Sequence, residues 1–407
     1  MVPIHKKDKA SVVSNYRPIS LLSIIGKLLE RIVFKYVFNY FKANFIINCY
    51  QSGFQSGKST VTQLIEIYHQ FCSAVDNQKE IRIIFLDIRK AFDKVWHRGI
   101  IYKLKQCGIS GSLLEWFANY LSDRMQRVVI NGQASTWQKI NAGVPQGSVL
   151  GPLLFLLYIN DIVNVVKHVN IRLFADDTCL FIEVDDRFEA ASMLEDDLCS
   201  IDSWAKKWLI SFAQEKTKSL IVSNKSDAYL NPVIFFGPHE VDEVSEHTYL
   251  GLTFTSTLSW NAHVTKVALH ARKKLNLMLP LKFKLDRRSL DTMFHSFVAS
   301  SMYYGCEIWG CTSDIYIQKL EQIIIDGMRI VTGATAGSSI VNLFTETAWH
   351  TFADNRDRAI LVMMYKTHHG MVPAYLQEIM PGQNRDFIQY NLRNKENIAV
   401  PCAKKMH

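Results

Sequence analysis

The 407-residue sequence predicts an α+β fold that gives way to a purely helical region, and three observations carry that expectation. Short apolar runs suited to buried strands occur at 82–86 (RIIFL) and 171–182 (IRLFADDTCLFI). Helical periodicities alternate with them up to about residue 255, and from Trp260 onward the pattern is almost wholly helical. The expected division is therefore 1–255 and 256–407. The chain is long enough for two or three cores. At 48% hydrophobic and 21% charged residues it is an ordinary globular protein, neither disordered nor collagen-like nor a coiled coil.

Taken in order, VPIHKK is strand-like, the chain turns at Asn15-Tyr16-Arg17-Pro18, and the apolar run behind it becomes helical in its second half. Val61, Leu64, Ile65, Tyr68 and Phe71 form one helix face. The strand 82–86 delivers Asp87, a helical pattern follows from Ala91 to near Gly108, and an amphipathic helix covers 112–121. Asn131-Gly132 marks a hairpin. A Gly/Pro loop at 142–148 opens the apolar helix 152–162, where a proline in the first turn lacks a donor that would be unpaired anyway. The run 171–182 is a tight hairpin tipped by Asp176 and Asp177, and a helix over 187–208 and strands at 219–222 and 248–252 follow. The last twenty residues are polar and expected to fray.

The run 149–159 is interrupted by Gly151 and Pro152 and is far shorter than the ~20 residues of a membrane span, so no membrane helix is expected. Lys6, Lys7, Asp8 and Lys9 have no apolar stretch behind them, which does not suit a secretory signal. The cysteines at 49, 72, 107, 179, 199, 306, 311 and 402 form no CxxC pair and no zinc site. They suit reduced thiols in an intracellular compartment, nucleus or cytoplasm. Net charge is +8 and focused. Lys266, Arg272, Lys273, Lys274, Lys282, Lys284, Arg287 and Arg288 face only Asp286 across 264–288. A second cluster holds Lys6, Lys7, Lys9, Arg17, Lys27, Arg31 and Lys35 against Asp8 and Glu30. Focused positive charge suits a polyanion such as nucleic acid.

Three aspartates set in apolar strands are the most informative feature: Asp87 behind IIFL, and Asp176 with Asp177 inside LFADDTCLFI. An ionised carboxylate in apolar surroundings is costly unless paired or metal-bound, and adjacent ones repel. No lysine or arginine lies within 173–182 to neutralise them. Magnesium, a hard cation shared between one or two carboxylates and substrate phosphates, fits. Two such ions would activate a 3′ hydroxyl and stabilise a departing pyrophosphate. A polar hairpin tip is the alternative for the Asp-Asp pair alone. The segment GFQSGKST at 53–60 resembles a phosphate loop, but it has three residues between its glycines where four are needed, with Ser52 at the required glycine position.

The blocks YRPISLL (16–22), FLDIRKAFD (85–93), AGVPQGSVLGPLLF (142–155), FADD (174–177) and YLGL (249–252) resemble, in content and order, the reverse transcriptase domain of non-LTR, LINE-type retrotransposons of the jockey and chicken-repeat group. The resemblance covers about residues 2–255, continues weakly beyond, and extends to a GFxxGxST segment in the fingers. It implies a right-hand polymerase: fingers, a palm with an antiparallel sheet, a helical thumb and a helical C-terminal extension. It implies an RNA-directed DNA polymerase that takes an RNA template, a DNA primer and dNTPs and uses two Mg2+ ions, with Mn2+ as a substitute. By motif position, Asp87, Asp176 and Asp177 would be the catalytic metal ligands, joined by the Ile88 carbonyl. Lys90 and Ala91 would offer backbone donors to the triphosphate, Phe92 would exclude a ribose 2′ hydroxyl, and Gln146 with Gly147 would line the sugar pocket. Arg17 and Lys27 would contact the triphosphate. Lys216 would protonate pyrophosphate, with Lys218 as its competitor, and Asp93 is read as a capping or surface acid. Lys266, Arg272, Lys273 and Lys274 would track the template-primer backbone, while Trp309, Trp349, Tyr303 and Tyr304 are read as core.

Elements of this kind carry an endonuclease and often an N-terminal extension ahead of the polymerase, and neither is expected from the abrupt start here. No RNase H cluster is expected after residue 256. The competing expectation is a truncated, catalytically silent retroelement relic that binds nucleic acid.

Overall fold

The computed structural model describes residues 1–6, 9–225 and 231–381. Lys7, Asp8, Cys402 and the polar C-terminal tail lie outside the described residues. The chain runs through β1 (Val2–His5), β2 (Tyr16–Ile19), α1 (Ile24–Ala43), α2 (Thr60–Asp76), β3 (Glu80–Asp87), α3 (His97–Gln106), α4 (Gly111–Leu121), α5 (Leu150–Ile159), β4 (Asn170–Phe174), β5 (Asp177–Val184) and α6 (Arg187–Lys207). It continues through β6 (Lys218–Val222), β7 (Asp242–Glu243), β8 (Glu246–Tyr249), β9 (Leu252–Thr255), α7 (Asn261–Met278), α8 (Arg287–Met293), α9 (Asp314–Thr332), α10 (Ile340–Thr347) and α11 (Phe352–His368). The fold is α+β. It groups into two compact units, neither continuous in sequence, that cut across the linear division at residue 255. The first holds Met1–Ser56, Ile81–Ser219 and the segment ending at Glu243; the second holds Gly57–Glu80, Leu220–Lys225 and the chain from Val244.

The first unit is built on a five-stranded sheet ordered β7-β6-β3-β5-β4, with β4 and β5 antiparallel and β6 and β7 parallel. Every residue of β3 before Asp87 is buried, Glu80 and Arg82 included, and the apolar run Ile83–Leu86 suits a strand covered on both faces. Helix α5 is apolar on all sides and buried except at Pro152, so it lies in the core, not on it. Its exposed amide ends are satisfied from far away in sequence. The buried Glu30 carboxylate of α1 accepts from Val149 N (2.6 Å) and Leu150 N (3.2 Å) and from the Tyr120 hydroxyl (3.1 Å). A carboxylate at a helix N-terminus is favoured by the helix dipole.

Four expectations change in detail. The helix expected from Ala91 is a 3-10 turn (Ala91–Lys94) followed by α3, because Val95 and Trp96 are extended and Trp96 bridges Ala142. Tyr16–Ile19 is a strand, not a turn; it pairs with β1 at an isolated two-stranded edge, where Pro18 is tolerated. The apolar helix begins at Leu150 and ends at Ile159, continuing as a 3-10 stretch to Val165. The stretch 248–252 is the bend of a hairpin: β8 and β9 are joined at Leu250-Gly251, with φ of 45 and 87.

In the second unit, Ser59 caps α2 in a reciprocal capping box with Thr62, which accounts for the Ser-Thr end of the phosphate-loop-like segment. The α2 face packs through Gln63 to the Tyr249 hydroxyl (2.9 Å) and through Phe71 to Phe254 (5.9 Å between rings). Trp309 is fully buried and Trp349 lies stacked on Phe294 at 4.2 Å, whereas Tyr304 is exposed. No disulfide joins the seven described cysteines, and among the described residues no helix is long and apolar enough to cross a membrane.

His263 is 3% exposed between Trp260 and Trp309, and its Nδ1 accepts from Thr253 N (3.2 Å). Burial, with Lys266 adding to it, lowers its pKa to about 4. The folded state keeps the ring neutral while the unfolded chain protonates below about 6.5, so this stability is present above pH 6.5 and lost as pH falls toward 4. Denaturant unfolding of wild type at pH 4.5 relative to pH 7.5 should therefore show a loss up to about 3 kcal/mol larger than in His263→Gln. Equal losses in the two proteins would contradict the buried neutral ring.

Candidate active site

Asp87 is the last residue of β3, placed by two backbone bonds to a neighbouring segment: Ala213 N donates to Asp87 O (2.8 Å) and Arg89 N to Ser211 O (2.8 Å). This bridge pairs Ile88 with Phe212 and leaves the Ile88 carbonyl outside it. Immediately after, a 3-10 turn at Gln214–Lys216 brings the Lys216 ammonium to Asp87 Oδ2 at 2.9 Å. Lys218 instead pairs with Asp242 (2.6 Å). The two lysines are separated because Lys216 precedes the strand and Lys218 begins it.

Asp176 and Asp177 stand at the turn between β4 and β5, and β5 neighbours β3 in the sheet. Desolvation raises the Asp176 pKa; the Asp87 charge adds to the rise, and its own backbone amide, Lys6 and Arg17 oppose it. Asp177, part of whose surface faces solvent, is pushed up to about 6 by desolvation and then by the charges of Asp176 and Asp87. The three acids are therefore electrostatically coupled. Among the described residues no three acid, cysteine or histidine side chains form a ready-made metal cage. The coupling is that of a carboxylate group whose members share one field without a common coordination sphere.

The turn is held from behind. Gln51 is fully buried, and its Oε1 accepts from Ala175 N (2.9 Å) and Gly53 N (2.7 Å). Ser52 N donates to Leu173 O (2.8 Å), and Leu173 N to Tyr50 O (2.9 Å). This strand-like support comes from Tyr50–Ser52, just ahead of the phosphate-loop-like segment, and has no sequence signal of its own. Ala175 sits at φ 54, a conformation the support must hold against steric preference.

A second set of groups is zipped together beside the first. Val144 N donates to Phe92 O (2.8 Å) and Gly143 N to Val95 O (2.8 Å). Phe92 stacks on Phe155 at 4.9 Å and meets Phe54 edge-on at 6.2 Å. Gln146 Nε2 donates to Asp93 Oδ1 (2.9 Å). Gly147, at φ 105, passes Ser20 so closely that a Cβ would lie 3.0 Å from its carbonyl oxygen. Lys90 is exposed at φ 49, Ala91 is buried, and a cavity of about 540 Å³ is lined by Lys90, Asp93, Gln146, Arg124, Arg127 and Trp137, among others. Arg124 and Arg127 were not singled out by motif, since isolated basic residues carry no spacing.

The remaining candidates differ in placement. Arg17 is exposed on β2, where its charge reaches Asp176. Lys27 is half-buried on the first turn of α1 and makes no side-chain bond among the described residues. On α7, Lys266 pairs with Glu246 (2.9 Å), Arg272 pairs with Asp326, and Lys274 lies 5.0 Å over the Phe297 ring. Lys273 is exposed. The exposed Lys266 pair contributes little, whereas Asp326 also binds Arg329 (3.0 Å) and Gln322 (3.0 Å) and ties Arg272 into the unit.

The family model described as reverse transcriptase (RNA-dependent DNA polymerase) matches residues 4–254, more than half of the chain. The chain belongs to the reverse transcriptase family. It is 32% identical over 338 residues to the "Probable RNA-directed DNA polymerase from transposon X-element" of Drosophila melanogaster, covering 81% of this chain and 37% of that protein. It is 29% identical over 345 residues to the RNA-directed DNA polymerase from mobile element jockey of the same species, covering 82% and 37%. This reverse transcriptase chain thus spans a little over a third of the length of those relatives. A telomerase structure from Candida albicans aligns with 81% of this chain and 58% of its own at 14% identity, with a TM-score of 0.41.

A Cβ on Gly53 would lie 2.4 Å from Ala175 N and 3.0 Å from the Phe174 carbonyl carbon. Gly53→Ala should push the acidic turn away at a cost of about 1–3 kcal/mol, read by denaturant unfolding. Amide exchange at Ala175 should quicken; unchanged protection there would refute the supporting role.

Proposed function

We propose that the chain is an RNA-directed DNA polymerase that adds deoxynucleoside monophosphates to a primer 3′ end on an RNA template, as the polymerase segment of a non-LTR, LINE-type retroelement. The observation that carries this reading is that Asp87 ends β3 while the Asp176-Asp177 turn opens β5, the neighbouring strand of the same sheet. The donor set fits two Mg2+ ions, or Mn2+ in their place: hard carboxylate oxygens from Asp87, Asp176 and Asp177, with the Ile88 carbonyl available. When bound, such ions would acidify the primer 3′ hydroxyl and balance charge on the pyrophosphate.

Under this reading the remaining residues divide the work. Phe92, held by Phe155, blocks the 2′ side of the incoming sugar, and Gln146 with Gly147 lines its pocket. Lys90 and Ala91 offer amides to the triphosphate, and Arg17 and Lys27 supply positive charge to it. Lys216, the ion-pair partner of Asp87, protonates the departing pyrophosphate. The first unit supplies the palm and fingers. The helices after residue 256 act as thumb, with Lys266, Lys273, Lys274 and Arg272 along the duplex backbone. The compartment would be nucleus or cytoplasm.

Primer extension on poly(rA)/oligo(dT) with Mg2+ tests the reading: wild type should extend, and Asp176→Ala should fall by roughly 10²- to 10³-fold. Extension by neither, with duplex binding intact, would instead support the silent relic. In the same assay Phe92→Ala should raise ribonucleotide incorporation by roughly tenfold or more. Unchanged sugar discrimination would remove Phe92 from that role.

A further inference from the structure

Helix α1 is apolar on two opposite sides, although a helix on the surface of a unit needs only one such face. Its inward side carries Glu30, Val37 and Phe41, all buried, and the Glu30 carboxylate is taken up by the start of α5. At 3.6 residues per turn, Ile25, Leu28, Leu29, Ile32 and Tyr36 fall together on the other side, within a stripe about 100° wide. All five are exposed, Ile25 to 81%, Leu28 to 60% and Tyr36 to 70%. Exposed apolar residues are ordinary when they stand singly, whereas a contiguous run over about three turns marks an interaction surface.

The positions 25, 29, 32 and 36 alternate steps of four and three, the seam of a helix that packs along another helix. Charge then narrows the occupant. Arg31, Lys35 and Lys42 stand along one edge of the stripe, all exposed and none with an acidic partner among the described residues. Glu30, the only acid of α1, is buried on the far side. A phosphate backbone would use the three cations but leave the aliphatic side chains uncovered. A second copy of α1 would cover the stripe, yet it brings only further cations to meet these. Both needs are met at once by a helix with an apolar seam and carboxylates beside it.

We propose that the outward face of α1 is the docking surface for an acidic amphipathic helix of a protein partner, whose apolar seam lies along Ile25, Leu29, Ile32 and Tyr36 and whose carboxylates lie along Arg31, Lys35 and Lys42. Lys27, the residue of this helix assigned to the triphosphate, is half-buried and lies off the stripe. The docking surface is therefore independent of the polymerase reading. Its apolar area supplies the attraction, and its one-sided charge sets the register and direction of the incoming helix.

The test uses two fluorescein-labelled helical peptides with the same leucine seam, one carrying glutamates and the other lysines along the same edge, titrated with the full chain and read by fluorescence anisotropy. Wild type should bind the glutamate peptide at least about tenfold more tightly than the lysine peptide. Leu29→Ser/Ile32→Ser should lose binding of the glutamate peptide, and Arg31→Glu/Lys35→Glu should reverse the preference. All four positions are exposed, so both variants should fold. If the serine variant does not, the reversal in the glutamate variant decides. No binding of the glutamate peptide by wild type, equal affinity for the two peptides, or unaltered preference in Arg31→Glu/Lys35→Glu overturns the proposal. Three further measurements compare wild type with Leu29→Ser/Ile32→Ser: sedimentation against concentration, binding to phosphatidylserine vesicles, and affinity for poly(rA)/oligo(dT). Self-association, vesicle binding or duplex affinity that the serine variant loses would give the stripe to a second copy, a lipid surface or nucleic acid, and would overturn the proposal in each case.

Discussion

Repulsion among Asp87, Asp176 and Asp177 is the constraint around which the first unit is organised. Desolvation raises the pKa of Asp176 and Asp177, and the charges of the neighbouring acids add to that rise, although Asp177 itself is open to solvent. Relief comes from elsewhere in the chain. Lys216 reaches Asp87 from the turn before β6, and Lys6 and Arg17 act on the hairpin acids from the first strand pair. The backbone is restrained at the same time by the buried Gln51 amide, so the acids cannot separate by bending the turn. A geometry that local energetics would relax is kept under tension by groups remote in sequence, as expected where chemistry requires concentrated charge.

The neighbouring Phe92 and Gln146 groups are arranged by a different means, a hydrogen-bond network. Glu30 anchors the start of α5, Ser148 Oγ bonds the Pro145 carbonyl (2.8 Å) and receives Gly151 N (2.9 Å), and the Phe92–Val95 segment is zipped to Gly143 and Val144. Glu30 was counted in the sequence only as an acid within a basic cluster. In the fold it is the buried cap that sets where the Gln146 loop ends and α5 begins.

What the sequence discloses and what it hides follow from range. Apolar periodicity located β3, the β4–β5 turn, α2 and α6 because each is decided by its own side chains. The aspartates were legible because charge inside an apolar strand violates the usual burial preference. The break between Ala91–Lys94 and α3 was not, since it depends on a bridge from Trp96 to Ala142. Nor was the bend at Leu250-Gly251, read as strand from its apolar flanks, nor the Gln51 support, whose partners are more than a hundred residues away. The choice between Lys216 and Lys218 was undecidable by alternation because only one of them belongs to the strand.

The interleaving of the two units has a consequence during synthesis. Helix α2 leaves the ribosome long before β8, β9 and α7, on which its apolar face depends. At ordinary elongation rates that interval is on the order of ten seconds, during which Phe71 and Tyr68 lack their partners Phe254 and Trp260. The nascent chain therefore has a built-in need for a transient shield, and a pause or truncation before residue 244 would leave a sticky intermediate in place of a half-finished domain.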